Sequence, residues 1–233
     1  MITKVKLIDE KISEMTVDRG FFKLTKKKIQ PLKYIDSVYN FLVHYCKYDK
    51  DSESIVKQTF KDGKYDSKLF AKLVNLDNCI LSGKGVCKQF SQLFCLLVGN
   101  MLYMTGDESI KFGFINTRIN YLNRQGDWSV DPHALNFIEI DGKKYFYDIS
   151  LGTKERVKRE NAYDAFCRVE AKKYQESLYR YDNKSTLNTD KEPVVVYIKP
   201  NSMEKLYTTL TSSLYIKTTQ EYSAEKNPNA FKG

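Results

Sequence analysis

The stretch GKGVCKQFSQLF, residues 83–94, is the part of the sequence that decides the predicted fold. Gly83 and Gly85 precede an apolar run with helical spacing, and Cys87 stands at the junction. The N-terminus of a helix carries unsatisfied backbone N–H groups and the positive end of the helix dipole, and both favour a thiolate. The stretch therefore predicts a reactive cysteine, provided that a base and an orienting carboxylate follow in the chain.

The helix that begins at Cys87 is predicted to be buried at the centre of a domain. Its apolar residues lie on nearly all faces, which is typical of a helix packed on every side, and Thr105-Gly106-Asp107 ends it. An earlier amphipathic helix is predicted after Pro31, and it ends near Lys47-Tyr48-Asp49. The apolar positions of the central helix are Phe90, Leu93, Phe94, Leu96, Leu97, Val98, Met101 and Leu102.

A β-hairpin is predicted further along the chain. Two β-rich runs, residues 133–140 and 143–150, are joined by Asp141-Gly142, a dipeptide typical of two-residue hairpin turns. With that turn Ile140 pairs with Lys143, so Asp148 lies opposite Leu135 and on the same face as His133. His133 and Asp148 are then diagonal neighbours within reach of a side-chain hydrogen bond.

Cys87, His133 and Asp148 together can fill the roles of nucleophile, base and orienting carboxylate. Taken singly, each has a structural alternative: a core thiol, a satisfied polar residue entering a strand, and a turn former. The other histidine, His44, is predicted to be a structural residue near the end of the first helix. The ordered combination of the three residues favours catalysis.

The motifs resemble those of the transglutaminase-like superfamily of papain-fold cysteine enzymes over about residues 34–152. GKGVC (residues 83–87) is similar to the nucleophile motif, and HALNFIEIDGKKYFYD (residues 133–148) is similar to the histidine hairpin with its terminal aspartate. The resemblance implies an α+β fold with a papain-like, transglutaminase-like core, in which the nucleophile begins a buried central helix packed on an antiparallel sheet. It also implies that Cys87, His133 and Asp148 are the catalytic residues.

The activity implied by the resemblance is acyl transfer through a thioester on a protein or peptide substrate. A hydrolase (protease, amidase or deamidase) is the first expectation, and transglutamination is open. The alternative is an inactive binding module of the same fold. An arylamine N-acetyltransferase is disfavoured, because those enzymes have Arg-Gly-Gly-x-Cys at the nucleophile and this chain does not. Where the family has small residues after the cysteine and tryptophan after His-Ala, this chain has Gln89-Phe90-Ser91 and Leu135, so the substrate stays open.

The bulk composition fits such an enzyme. The 233 residues are predicted to form an extension (1–30), the catalytic core (31–153) and an appendage of helix and strand (154–233). The charge of +9 is spread along the chain, which disfavours a nucleic-acid site.

The five cysteines lack zinc spacing, and calcium loops are absent, so no cofactor or metal is expected. No signal peptide or membrane span is recognised, so a cytoplasmic location is expected.

Overall fold

The computed structural model describes residues 31–52, 54, 75–122, 125–153, 165–182, 184–188 and 193–212. The predicted extension, residues 1–30, lies outside them. The described residues mix helices with a curled, mostly antiparallel sheet, which confirms the α+β class. In chain order the elements are α1 (Pro31–Tyr45), β1 (Lys47–Tyr48), α2 (Leu76–Ser82), β2 (Lys84–Gly85), α3 (Cys87–Thr105), β3 (Lys111–Leu122), β4 (Trp128–Ile140), β5 (Lys143–Tyr147), α4 (Ile149–Gly152), β6 (Val169–Glu170), a 3-10 turn (Ala171–Lys173), α5 (Tyr174–Tyr181), β7 (Thr186–Leu187), β8 (Val194–Ile198) and α6 (Met203–Thr211).

The main sheet is built around the long strands β3 and β4. Its strand order is β6-β5-β4-β3-β7, and β8 also pairs with β3, all of them antiparallel. At the β4–β5 turn both Asp141 and Gly142 have positive φ, 51° and 71°, as a type I′ turn requires. Ile140 pairs with Lys143 as the sequence predicted, so the predicted hairpin register is confirmed.

Helix α3 is the buried centre of the fold. It starts at Cys87 and ends at Thr105, where Gly106 takes the left-handed conformation with φ 65°, so the predicted bounds are confirmed. The helix is tied to the sheet by the buried amide of Asn136 on β4, which donates to the Ser91 carbonyl at 2.9 Å and to the Gly113 carbonyl at 3.2 Å. A polar link through an apolar core fixes the rotation of the helix on the sheet, and hence the direction in which its first residue points.

The segment after residue 153 belongs to the same sheet as the predicted core. Strand β8 runs along β3, and a Cβ on Gly113 would lie 1.9 Å from the Val196 carbonyl oxygen, so only glycine permits this approach. On the other side of α3, Gln92 donates to the Leu210 carbonyl of α6 at 2.8 Å. The sheet of the predicted core therefore includes strands from both sides of residue 154, where the sequence predicts a boundary.

The apolar spacing of residues 154–181 (Ala162, Phe166, Val169 and Tyr174) predicts one amphipathic helix, and the structure corrects this prediction. Residues 154–164 lie outside the described part of the chain. Arg168 has a φ of 53°, which interrupts a right-handed helix, and Val169–Glu170 then pairs with Tyr145 and Phe146 of β5. Helix α5 begins only at Tyr174. The strand predicted at Val194–Ile198 is confirmed.

Candidate active site

The turn before Cys87 is fixed by the chain that follows α1. Helix α2 ends at Ser82, the next residue Gly83 has a left-handed φ of 72°, and a Cβ there would lie 2.5 Å from the Tyr45 carbonyl oxygen. Lys47 N–H donates to the Gly83 carbonyl and Asp49 N–H to the Gly85 carbonyl, both at 2.8 Å. These bonds form the short parallel pair β1–β2 and place Cys87 as the first residue of α3.

Gln89 holds the same turn from inside. Its Oε1 accepts from the Val86 N–H at 2.9 Å, and its Nε2 donates to the Asn75 carbonyl at 2.7 Å. Gly85 makes room for this side chain, since a Cβ on Gly85 would lie 2.9 Å from Gln89 Oε1. Gln89 is one of the differences from the family that the motifs resemble, and in this structure it joins the start of α3 to the start of α2.

Replacing Gln89 with alanine should both destabilise the protein and disturb Cys87. The change leaves the buried Val86 N–H and the Asn75 carbonyl without this partner, and we expect a loss of about 1–3 kcal/mol in the free energy of unfolding. The alkylation rate of Cys87 should fall as well, because the turn that orients it is released. Gln92→Ala is the matched control: it removes one buried hydrogen bond of α3, to Leu210, and should lower stability without slowing alkylation. Denaturant unfolding and iodoacetamide kinetics measure the two effects, and equal alkylation rates in both variants would contradict this role of Gln89.

His133 lies on β4 and interacts with both of the other predicted site residues. Its Nε2 is 2.6 Å from Asp148 Oδ2, as the hairpin register predicted, and Cys87 lies close enough to raise the pKa of the ring. Since Nε2 is taken by Asp148, Nδ1 is the ring nitrogen left for Cys87. The structure therefore brings together the three residues that the sequence predicted as a site.

Asp148 is buried among donors. Ser150 Oγ and Leu151 N–H donate to its Oδ1 at 2.9 and 3.0 Å, and the Tyr174 hydroxyl donates to its Oδ2 at 2.5 Å. Burial raises the pKa of Asp148, but the charge of His133 and the hydrogen bonds from His133, Tyr174 and Leu151 outweigh it and hold this pKa below its usual value. Asp148 is consequently a carboxylate that keeps its negative charge.

The ionisation of His133 follows from the same contacts. Burial lowers the pKa of the imidazole, but the adjacent Asp148 charge, its hydrogen bond and the contact with Cys87 raise this pKa well above the ordinary value of 6.5. At neutral pH the ring is therefore an imidazolium, which is the form that pairs with a thiolate rather than the form that removes a proton from a thiol.

Cys87 differs from the other cysteines in its exposure. It is partly exposed, whereas Cys46, Cys79, Cys95 and Cys167 are buried. A reagent or substrate can therefore reach the Cys87 sulfur without unfolding of the core. As the first residue of α3, Cys87 also has a backbone N–H with no acceptor within the helix, next to its own sulfur.

Lys88 is the unexpected member of this region. Its side chain is buried, with 6% of the residue exposed, and its Nζ lies 4.1 Å from the centre of the Phe114 ring on β3. Nζ has no hydrogen-bond acceptor in the described part of the chain. Burial lowers the pKa of Lys88 to about 8, although the nearby Cys87 and Cys95 sulfurs act to raise it.

Sequence reasoning missed Tyr174, Gln89 and Lys88 as members of the site region. The signature that could have shown Gln89 is its position three residues after the helix N-cap, where glutamine commonly reaches back to the N-cap N–H. His44 is exposed, and its Nδ1 donates to the Asn40 carbonyl at 2.7 Å, in agreement with a structural helix histidine. Trp128 is 59% exposed and lies five residues before His133 on β4, about 17 Å away along the strand, so it does not line the site.

The described residues hold no group of three or more His, Cys, Asp or Glu side chains that could bind a metal ion. None of the helices in the described ranges combines the length and the apolar character that crossing a bilayer requires. No family model matches the chain, and no curated protein matches it either.

Proposed function

We propose that this protein is a cysteine-dependent acyl-transfer enzyme, most simply a hydrolase of amide bonds in proteins or peptides, with Cys87 as nucleophile. The single observation that carries the proposal is the buried His133–Asp148 pair, whose imidazole lies close enough to the partly exposed Cys87 for that residue to raise its pKa. A papain-like, transglutaminase-like core is part of the same proposal. It is supported by a cysteine that begins a buried central helix and a histidine on a neighbouring antiparallel strand.

In the proposed reaction the Cys87 sulfur attacks the carbonyl carbon while His133 holds a proton on Nδ1. The electron pair of the C=O bond moves to oxygen, and the backbone N–H of Cys87, at the start of α3, is available to donate to that oxyanion. When the intermediate collapses, the C–N bond breaks and the leaving amine takes the His133 proton. The acyl group is then held as a thioester on Cys87.

The second half of the reaction returns the enzyme to its starting state. Water, or an amine in transglutamination, attacks the thioester carbon and gives its proton to His133. The C–S bond breaks, and the product acid or amide leaves a thiolate paired with the imidazolium. Asp148 keeps Nε2 protonated through both halves, so that Nδ1 is the nitrogen that exchanges the proton.

The alternative function, an inactive binding module of the same fold, requires a Cys87 that is blocked or distant from His133. The influence of Cys87 on the pKa of His133 and the partial exposure of Cys87 favour the enzyme.

Labelling with iodoacetamide tests the proposed nucleophile. In the folded protein at pH 6–7, Cys87 should be carboxamidomethylated at least about tenfold faster than a cysteine in an unstructured peptide. Only the thiolate reacts, and the imidazolium of His133 favours this form at Cys87. The four buried cysteines serve as internal controls, and peptide mass spectrometry after digestion locates the label. If Cys87 reacts no faster than the peptide thiol, the proposed nucleophile is wrong.

A further inference from the structure

The feature that the proposed reaction does not use is the buried ammonium of Lys88. Lysine is almost never buried without a partner, because removing its charge from water costs several kcal/mol. Here no described carboxylate forms an ion pair with Nζ, and the face of the Phe114 ring supplies only a weak attraction and no hydrogen bond. A buried, unpaired cation next to a nucleophile is explained if a ligand supplies the anion.

A second unpaired donor lies on the same strand. The buried Nδ2 of Asn116 has no acceptor in the described part of the chain. Asn116 follows Phe114 by two residues on β3, so the two side chains point to the same face of the sheet. Its paired residue on β4 is Ala134. Lys88 and Asn116 thus offer unpaired N–H donors on the face of β3 that carries Phe114.

We propose, on the basis of the function proposed above, that the acyl donor carries a carboxylate close to its reactive carbonyl and that Lys88, assisted by Asn116, binds this carboxylate. A carboxylate accepts up to about four hydrogen bonds and would satisfy both unpaired donors at once. Charge-assisted bonds of this kind are the strong ones, and a dry site strengthens them further. The preferred substrates are therefore acidic acyl groups, such as those of aspartyl or glutamyl peptides, rather than neutral ones.

Two alkylating reagents that differ only in charge test the proposal without knowledge of the substrate. Iodoacetate carries a carboxylate next to its reactive carbon, and iodoacetamide carries a neutral amide there. We expect the ratio of their second-order rate constants at Cys87, at pH 7, to fall about five- to tenfold in Lys88→Met. Lys84→Met is the matched control, since it removes an exposed positive charge three residues before Cys87. Its ratio should stay within about twofold of the wild-type value, because exposed charges are screened.

Each outcome decides between two roles of Lys88. If Lys88 only favours the thiolate, Lys88→Met slows both reagents equally and leaves the ratio unchanged, which overturns the proposal. A ratio that falls equally in Lys84→Met also overturns it, because general surface charge then explains the preference. If Cys87 is inert to both reagents, the proposed function itself fails, so the two failures are distinguishable.

The wild-type protein provides a measurement that does not depend on the folding of a variant. The ratio should fall as the pH rises from 7 to 9, because Lys88, with its pKa of about 8, loses its charge in that range. The titratable groups acting on Lys88 are Cys87 and Cys95 of its own helix, and on β4 His133 keeps its proton over the same range because its pKa is raised. A ratio that is constant between pH 7 and 9 would overturn the proposal.

Discussion

Replacing His133 with glutamine should lower the rate of acyl transfer by about 10²–10⁴-fold, the range that a positioned acid–base group contributes. Alkylation of Cys87 by iodoacetamide at pH 6 should fall by about 10–100-fold as well. Without an adjacent imidazolium the sulfur should react as an ordinary thiol, of which less than about 1% is ionised at that pH. The glutamine amide can still donate to Asp148, so the variant should fold.

The control for this prediction is His44→Gln, which changes the only other histidine of the chain. His44 is exposed on α1 and binds only its own helix through the Asn40 carbonyl, so both rates should stay within about twofold of the wild type. Stopped-time alkylation with mass detection gives the alkylation rate, and release of 4-nitrophenol from the ester of an acidic peptide gives the rate of acyl transfer. Unchanged alkylation in His133→Gln would show that the imidazole does not activate Cys87.

Replacing Asp148 with asparagine should lower the rate of acyl transfer about as much as His133→Gln does, because it changes which nitrogen of His133 carries the proton. Four donors point at the Asp148 carboxylate, and an asparagine amide would turn its own NH₂ group toward two of them. On the Oδ2 side, the repulsion between this NH₂ group and the Nε2–H group of His133 is removed when the ring proton moves from Nε2 to Nδ1. Nδ1 then cannot accept a proton from the attacking water or amine, and we expect activity to fall by about 10³–10⁴-fold.

The same substitution should lower stability by about 2–4 kcal/mol at pH 5–6, since it breaks a buried, hydrogen-bonded charge pair. The pKa of Asp148 is lowered on folding, so its contribution is present above the ordinary carboxyl range and is lost as the pH falls through the folded value. The pKa of His133 is raised on folding, so its contribution is full below pH 6.5 and is lost as the pH rises through the folded value. The stability difference between wild type and Asp148→Asn should therefore be largest at about pH 4–6.5.

Tyr174→Phe separates the charge of Asp148 from its hydrogen bonds. It removes the hydroxyl that donates to Oδ2 but keeps the carboxylate and the His133 contact. We expect a loss of about 1–2 kcal/mol in stability and a loss of activity of no more than about tenfold. Urea unfolding from pH 3 to 10 measures the stabilities. If Tyr174→Phe is as inactive as Asp148→Asn, proton placement on His133 is not what Asp148 provides.

Local signatures in the sequence were enough to predict the three central residues. The glycines before Cys87 and the apolar run after it define a helix start within a few residues. The Asp141-Gly142 turn determines the pairing of its strands, because side chains alternate strictly along them. A shift of one residue in that register would turn His133 away from Asp148. The prediction of the hydrogen bond between them therefore depended on the Asp141-Gly142 turn, which is easily recognised in the sequence.

The surroundings of the site could not be predicted in the same way. Tyr174 reaches Asp148 from a segment whose apolar spacing suggested a longer helix, and the positive φ of Arg168 that redirects the chain has no strong local signature. Strand β8 was recognised, but its partner β3 lies about 80 residues earlier in the chain, and pattern alone does not choose between distant partners. Lys88 was missed because lysine in a sequence is expected on the surface.

The most direct measurement of the central claim is detection of an acyl group on Cys87 during turnover. The wild-type protein and Cys87→Ala would be mixed with the 4-nitrophenyl ester of an acidic peptide, quenched in acid and analysed by intact-mass and peptide mass spectrometry. We predict an acyl adduct on Cys87 that water or an added amine removes, and negligible nitrophenol release by Cys87→Ala. Nitrophenol release at the same rate by Cys87→Ala, or turnover by the wild type with no acyl group on Cys87 at any time, would contradict the proposed mechanism.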